Sequence, residues 1–330
     1  LLSLGAGMRR RRFITLLGGA AVTWPLTVRA QQKPVIGFLR STSESDSLSL
    51  VTAFRQGLKE TGYIDGENVA IEFRWANNQA ARLPSLAAEL VARTVAVIVG
   101  NSEAAVAARS ATTTAPIVFA TGADPIKLGL VSSLSRPGGN VTGVVFFSDV
   151  LGAKRLDLMR QLLAKPTAIG MLFHAGLSST ETERRDVGAA AQAIGQQLIV
   201  RDVSSGRDID AAFAEFVQRR AGALLVGAGS FLFSNRVQIV ALAARHALPA
   251  LYTQRETVVA GGLMSYGPSN IEAYRQVGIY TARILKGEKP SDLPVIQSTK
   301  FEFAINLKTA KTLGLEFHPQ LLATADELFD

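Results

Sequence analysis

The chain has 330 residues, a formal charge of +8, three histidines and no cysteine. Its length exceeds one ordinary hydrophobic core and fits two domains of roughly 100 to 200 residues each, while the lack of cysteine excludes disulfides, thiolate metal sites and cysteine nucleophiles. Residues 1–30 hold five arginines and no acid, so the rest of the chain carries only +3 and offers no electrostatic case for nucleic-acid binding.

The first predicted element is an export signal over residues 1–30. Four consecutive arginines, Arg9 to Arg12, precede the short apolar run 13–22, and small residues predict cleavage near Ala30. The arginines followed by Phe13-Ile14 resemble a twin-arginine motif, so we predict export to the bacterial periplasm by the twin-arginine or the general secretory route. An uncleaved anchor is the alternative, although the run is shorter than the about 20 residues that span a bilayer.

The next part of the chain alternates short apolar runs with amphipathic segments. Continuous apolar strands joined by helices predict a parallel sheet covered on both faces. The predicted strands are 35–39, 69–73, 95–99, 117–120 and 141–145, and the predicted helices are 48–61, 80–93, 102–111 and a short one at 126–130.

A second, similar series follows residue 147. Its predicted helices are 152–163, 181–194, 209–219 and 235–245, and its strands are 168–173, 197–200, 223–226 and 250–252. The tail is predicted to hold a strand or linker at 262–266, a helix at 271–285, a proline-rich connection at 287–294, a strand at 301–305 and a helix at 307–313.

These elements predict an α/β protein of two Rossmann-like lobes, whose parallel sheets are joined by a three-strand hinge. We assign residues 33–146 and 262–288 to an N-terminal lobe, and residues 147–261 and 289–330 to a C-terminal lobe. A joint of three crossing strands permits hinge closure of one lobe on the other.

The candidate site lies where the strands end, because parallel sheets bind ligands outside the carboxyl ends of their strands. Small polar residues follow those strands in both predicted lobes. Each of them has an ordinary alternative role, as a helix cap for the hydroxyl and amide side chains or as core packing for the phenylalanine. The candidates are Arg40, Ser41, Thr42, Asn101, Ser102, Thr121, Gly122, Phe146, His174, Ser230, Tyr252, Glu256 and Tyr266.

Two charged candidates suggest what the site binds. Arg40 suits a ligand carboxylate, because the arginine fork recognises carboxylates strongly, and Glu256 suits a ligand amine. Either side chain could instead be a solvated loop charge. His174 is the weakest candidate of the set. A lining rich in hydrogen-bonding groups and poor in charge favours a zwitterionic or amide-bearing small molecule.

Known catalytic motifs are not found in the sequence. The segment Gly227-Ala228-Gly229 lacks the third glycine of a dinucleotide fingerprint, since Leu232 stands at that position, and the chain has no phosphate loop and no nucleophile elbow. We therefore predict a non-enzymatic protein with no cofactor and no metal. The alternatives are a periplasmic enzyme using Asp124 or Glu256, and a sensor or effector domain like that of the lactose-repressor regulators.

Several motifs together resemble a known family, the ABC transporter substrate-binding proteins of the tryptophan-binding type, which have the type I periplasmic-binding fold. The resemblance spans residues 33–328. The motifs that carry it are Ala120-Thr121-Gly122-Ala123-Asp124-Pro125, Leu134-Ser135-Arg136-Pro137-Gly138-Gly139-Asn140-Val141-Thr142-Gly143, Ala260-Gly261-Gly262-Leu263-Met264-Ser265-Tyr266-Gly267, Ala282-Arg283-Ile284-Leu285-Lys286-Gly287 and Phe303-Ala304-Ile305-Asn306-Leu307-Lys308-Thr309-Ala310.

The resemblance implies an extracytoplasmic receptor that closes on a small solute and delivers it to a permease in the inner membrane. We expect the protein to be a monomer. It implies first-lobe ligand contacts at Ser41, Thr42, Asn101, Ser102, Thr121 and Gly122. The chain departs from the family pattern at His174-Ala175-Gly176, where relatives often have an Asn-Pro-Gly loop, and in the loop around Glu256. Aromatic or other amino acids are the expected ligands, with aromatic acids or amides as alternatives.

Overall fold

The computed structural model describes residues 33–163, 165, 167–176 and 178–330. The export signal predicted for residues 1–30 lies outside this part of the chain. Among the described residues, no helix combines the length and the apolar character that crossing a membrane requires.

The first series of elements builds one sheet and the helices that cover it. Apart from the edge strand Ala70–Trp75, its strands are nearly continuous apolar runs, as expected for a parallel sheet buried on both faces. The elements are β1 (Val35–Arg40), α1 (Leu48–Glu60), β2 (Ala70–Trp75), α2 (Leu83–Ala92), β3 (Val97–Asn101), α3 (Ser102–Ala111), β4 (Ile117–Thr121) and β5 (Val141–Val145).

The second series builds a similar unit. It contains α4 (Gly152–Leu162), β6 (Ile169–His174), α5 (Ser178–Ala193), β7 (Leu198–Val203), α6 (Gly206–Gln218), β8 (Ala223–Val226), α7 (Ser230–Ser234), α8 (Arg236–Arg245), β9 (Ala250–Tyr252) and α9 (Arg255–Val259). The remaining elements are β10 (Met264–Pro268), α10 (Asn270–Leu285), β11 (Ile296–Gln297), β12 (Phe301–Asn306), α11 (Leu307–Thr312), α12 (Pro319–Leu322) and β13 (Glu327–Phe329).

The strands form two sheets, which define two lobes. The first is six-stranded, in the order β11-β5-β4-β3-β1-β2, and every pair in it is parallel. The second is seven-stranded, in the order β13-β12-β10-β9-β8-β6-β7, and only the β10–β12 pair is antiparallel. The predicted architecture of two α/β lobes with parallel sheets is confirmed.

Alternation along each strand divides the core of a lobe between the two faces of its sheet. In β1, Phe38 packs on one face with Phe54 of α1 and Tyr274 of α10, whereas the neighbouring Leu39 packs on the other face with residues of α2 and α3. Two apolar clusters also flank the second sheet. Each lobe therefore has its own core, and the carboxyl ends of its strands are left to form loops.

The chain crosses between the sheets three times, after β5, after β10 and after β11. The later two crossings come further along the chain than the predicted boundaries at 262 and 289. Strand β10 belongs to the second sheet, where Ser265 pairs with Tyr252, and β11 belongs to the first, where it pairs with β5. The first lobe therefore takes α10 and the chain up to Gln297, and the second lobe takes β10. The sequence could not show this, because an apolar strand fits either sheet.

One predicted helix is not formed. Residues 126–130 adopt turns instead. The carboxylate of Asp124 accepts a hydrogen bond from the Ile126 amide at 2.8 Å, and Gly129 has a φ of 68°, so the chain turns back before a helix can continue. Five short elements were not predicted, namely α7, α9, β11, α12 and β13. Each has too few residues to show a helical or strand periodicity in the sequence.

Helices α1 and α10 cross at a pair of glycines. A Cβ atom on Gly57 would lie 1.9 Å from the backbone oxygen of Arg275, and one on Gly278 would lie 2.3 Å from the backbone oxygen of Phe54. Only glycine permits this backbone approach, which fixes α10 on the first lobe after the second crossing.

We therefore expect Gly57→Ala to destabilise the protein by about 1 to 3 kcal/mol, because the helices must separate to admit one methyl group. Gly188→Ala in α5 is the matched control, since a Cβ there meets nothing within 4 Å. It should be neutral or stabilise by about 0.5 to 1 kcal/mol, because alanine favours the helix. Urea unfolding of both variants measures the difference. Equal effects would contradict this account of the crossing.

Candidate ligand-binding cleft

A cleft of about 510 Å³ lies between the two lobes. The loops after β1, β3 and β4 line it from the first lobe, and the loops after β8 and β9 line it from the second. Its position follows the rule that ligands bind outside the carboxyl ends of parallel strands. Its size falls within the range of small-molecule sites.

Most of the residues predicted for the site line this cleft. They are Arg40, Thr42, Asn101, Ser102, Gly122, Phe146, Ser230 and Glu256. Ser41 and Thr121 lie behind the surface and position these residues. The Ser41 amide donates to Asn101 Oδ1 at 3.1 Å, and the Thr121 and Ser102 hydroxyls are 2.7 Å apart.

Besides Ser41 and Thr121, three further predicted residues lie outside the cleft lining. His174 stacks on Phe231 with ring centroids 4.8 Å apart, and burial lowers the pKa of its imidazole. Tyr252 is 3% exposed in the core of the second lobe, where burial raises the pKa of its hydroxyl. Tyr266 packs between Phe301 and Phe303. All three belong to strands, and the end of a strand does not by itself fix which way a side chain points.

Arg40 is the buried cation of the cleft, with only 6% of the residue exposed. Its Nη1 donates to the Tyr274 hydroxyl, and its Nη2 donates to Thr42 Oγ1 at 3.3 Å. Burial raises the pKa of Tyr274, so the hydroxyl stays neutral and can accept this bond. The Nε of Arg40 has no hydrogen-bond partner in the described part of the chain. One buried N–H of the guanidinium is thus left without an acceptor among the described residues.

Glu103, in the first turn of α3, is a cleft residue that the sequence reasoning missed. Its Oε2 accepts from Asn101 Nδ2 at 2.5 Å and from the Ser41 hydroxyl at 3.3 Å. Its Oε1 is 3.5 Å from the Ser230 hydroxyl of the other lobe. Among the residues that the structure describes, no lysine, arginine or histidine forms an ion pair with Glu103.

Glu256, on α9 of the second lobe, lines the cleft together with Glu103 and Asp46 of the first lobe. Burial raises its pKa above the usual range, against the opposing effect of its own backbone amide and of Arg255. Two amide oxygens near the cleft, Gln254 Oε1 and Asn270 Oδ1, are buried and have no partner among the residues described. The lining thus offers one guanidinium and a larger number of hydrogen-bond acceptors.

The lobes touch each other across the mouth of the cleft. Arg236 of α8 forms an ion pair with Asp46, in the loop after β1, at 2.6 Å, and these side chains are 19% and 11% exposed. The Ser234 hydroxyl donates to Asn78 Oδ1 at 2.8 Å, and Asn101 Nδ2 donates to the Ser230 hydroxyl at 3.4 Å. The structure therefore shows the lobes in a closed arrangement.

A buried ion pair supports the loops of the second lobe at the hinge. Arg155 and Glu183 are 2% and 1% exposed and bond to each other. Arg155 also donates to the backbone oxygens of Ser148, next to the first crossing, at 3.2 Å and of Tyr266 in β10 at 3.4 Å. Glu183 Oε2 accepts from the amide of Ala228, a cleft residue, at 2.9 Å. One pair thus ties two crossings to the cleft lining.

The arrangement suits recognition by hydrogen bonds and charge. Among the residues that the structure describes, no group of three His, Cys, Asp or Glu side chains could hold a metal ion. Asp124, a candidate for an enzymatic role, caps the turn at Ile126 and does not line the cleft.

Two α/β lobes joined by three crossings around a ligand-sized cleft define a solute-binding protein of the type I periplasmic-binding fold. The chain belongs to the ABC transporter substrate binding protein family, whose model matches residues 39–329.

Relatives of known structure or ligand agree with this assignment. A tyrosine-binding protein of Clostridioides difficile strain R20291 is 26% identical over 265 residues, which are 80% of this chain and 76% of that protein. The crystal structure of an ABC domain from Streptococcus pneumonia in complex with L-Trp is 26% identical, with a TM-score of 0.82, and covers 90% of this chain and 100% of that one. A conserved domain protein from Vibrio cholerae, 24% identical, shares the fold with a TM-score of 0.83 over 90% of this chain and 100% of its own.

Because Asp46 and Arg236 form an ion pair across the mouth of the cleft, closure of the lobes should depend on this pair and on the salt concentration. We expect Asp46→Asn to weaken the closed arrangement by about 1 kcal/mol, which shifts the balance of open and closed forms about fivefold toward the open form. The measurement is the radius of gyration from small-angle scattering at low and high salt, where the wild type should open with salt more than the variant does.

Glu89→Gln is the control for this experiment. Glu89 pairs with Arg74 inside the first lobe and is 54% exposed, so its loss should leave the radius of gyration unchanged. A variant Asp46→Asn that scatters like the wild type at every salt concentration would show that the pair does not hold the lobes together.

Proposed function

We propose that this protein is the periplasmic receptor of an importer for aromatic amino acids, and that it passes its ligand unchanged, as a monomer, to an inner-membrane permease. The observation that carries the proposal is that two opposite charges, which form no ion pair with each other, lie on one wall of the cleft. Arg40 presents an unpartnered Nε, and Glu103 presents a carboxylate without a cation. An amino acid carries the complementary carboxylate and ammonium on a single carbon atom.

The two charged groups lie on the first lobe's wall of the cleft and share neighbouring residues there. Ser41 follows Arg40 in the chain, and its hydroxyl donates to Glu103. Tyr274 bonds Arg40, and the charge of Glu103 acts on the pKa of Tyr274. The amide oxygen of Asn270, one helical turn before Tyr274 on α10, adds an acceptor for the ammonium group.

Apolar side chains supply the rest of the lining and favour a ligand with a large apolar part. They come from both lobes and include Leu50, Leu83, Val106, Leu128, Phe146 and Phe233. Aromatic rings bury much surface in such walls. The named ligands of the relatives, tyrosine and L-Trp, support an aromatic amino acid as the solute.

Titration calorimetry and thermal unfolding with L-tryptophan and L-tyrosine test the proposal. A ligand at 100 times its Kd should stabilise the protein by about 2.7 kcal/mol. Glycine, which has the head group without the ring, and indole, which has a ring without the head group, should both bind far more weakly. Recovery of the ligand unchanged by mass spectrometry separates a receptor from an enzyme. Failure of both aromatic amino acids to bind would overturn the proposal.

Glu103→Gln tests the assignment of the ammonium group. We expect the Kd for L-tryptophan to rise about tenfold or more, because a charged hydrogen bond is replaced by a neutral one. The melting temperature of the free protein should hardly change, since Glu103 has no ion pair to lose within the described chain. Glu67→Gln, at an exposed position outside the cleft, is the control and should leave the Kd unchanged. Equal affinities for all three proteins would contradict the assignment.

A further inference from the structure

The head group of an amino acid does not account for all the acceptors of the cleft. If Arg40 and Glu103 bind the carboxylate and the ammonium, a second group of acceptors is left on the opposite lobe. Gln254 and Glu256 follow β9 of the second lobe, and both line the cleft. They face whatever part of the ligand extends from the head group.

The arginines near Glu256 form their ion pairs with other acidic residues. Arg255 forms its ion pair with Glu327, and Arg236 forms its ion pair with Asp46. Glu256 itself has no ion pair in the described part of the chain. Burial raises its pKa, and the charges that act on it most are those of Arg255, Glu302 and Arg236. Glu103 lies instead on α3 and contacts Ser41 and Asn101, so the two carboxylates belong to opposite lobes.

Gln254 and Glu256 together bring to the cleft side-chain oxygens that can accept hydrogen bonds from a ligand. The Oε1 of Gln254 is buried and has no hydrogen-bond partner among the described residues. A hydrocarbon ring placed against these groups would exclude water from them without donating a hydrogen bond to replace those that water makes. Leaving a buried acceptor unpaired is costly, and more so when it is charged. Sites built around such groups discriminate strongly against ligands that lack the matching donor.

We propose that Glu256, with Gln254 beside it, is the specificity-determining residue of the cleft and accepts a hydrogen bond from an N–H or O–H group on the ligand's ring. The receptor therefore selects tryptophan and tyrosine over phenylalanine. This inference rests on the proposed function, which places the head group at Arg40 and Glu103.

The test is a set of dissociation constants measured by calorimetry on the full chain. The ligands are L-tryptophan, L-tyrosine, L-phenylalanine and 1-methyl-L-tryptophan, in which a methyl group replaces the indole N–H hydrogen. For the wild type we expect L-tryptophan to bind at least about tenfold more tightly than 1-methyl-L-tryptophan, or L-tyrosine at least about tenfold more tightly than L-phenylalanine. The weaker ligand of each pair lacks the donor on its ring.

Two variants and a control locate the effect. Glu256→Met keeps the length of the side chain and removes its acceptors, so the preference should fall to within about threefold, chiefly through weaker binding of the donor ligands. Glu256→Gln keeps one acceptor oxygen and should keep part of the preference. Glu302→Gln removes a neighbouring charge outside the cleft lining and should leave the preference intact. Thermal unfolding checks that each variant is folded.

The outcomes separate this inference from the proposed function. Equal affinity of the wild type for phenylalanine, tyrosine and tryptophan, or an unchanged preference in Glu256→Met, would overturn the role of Glu256 and leave the receptor intact. Failure of all four ligands to bind would overturn the proposed function, and this inference with it.

Discussion

The buried ion pair between Arg155 and Glu183 is the constraint on which the rest of the hinge depends. Removing one partner of such a pair leaves a charge without compensation in the interior, which typically costs about 3 to 5 kcal/mol. The free hydrogen-bonding positions of the pair are used on the backbone of Ser148, Tyr266 and Ala228. Two of these positions lie beside crossings between the lobes, and the third lies in the cleft. The pair thus fixes the second lobe's side of the joint and the edge of its binding surface together.

The hinge between the lobes and the charged rim of the cleft have different roles in closure. Each lobe has its own core, so the lobes can move as bodies while only the crossings bend. At the rim, Asp46 and Arg236 can pair only when the lobes approach, and Ser230 then comes within reach of Asn101 and Glu103. The side chains that hold the lobes together thus include those that face a ligand. Ligand binding and closure are coupled through shared contacts, as population shift requires.

Periodicity in the sequence predicted both lobes and most strands, because buried parallel strands are continuous apolar runs. It also predicted the strand ends that build the cleft, including Arg40 and Asn101. Glu103 was not predicted as a site residue, because an acidic side chain in the first turn of a helix is already explained by its favourable interaction with the helix dipole. Tyr274 could not be predicted, since it meets Arg40 from a helix 234 residues further along the chain. Tyr252 was wrongly predicted to line the cleft. Its position at the end of a strand does not indicate that its ring points into the core.

Closure around an aromatic amino acid is the central claim, and a distance across the cleft tests it most directly. Leu48 and Val237, which are 60% and 66% exposed, lie on opposite lobes beside Asp46 and Arg236. Because the chain has no cysteine, Leu48→Cys with Val237→Cys gives two unique sites for spin labels. Pulsed electron resonance should show a long or broad distance distribution without ligand and a single short distance with saturating L-tryptophan. A distribution that L-tryptophan and L-tyrosine leave unchanged would contradict the account.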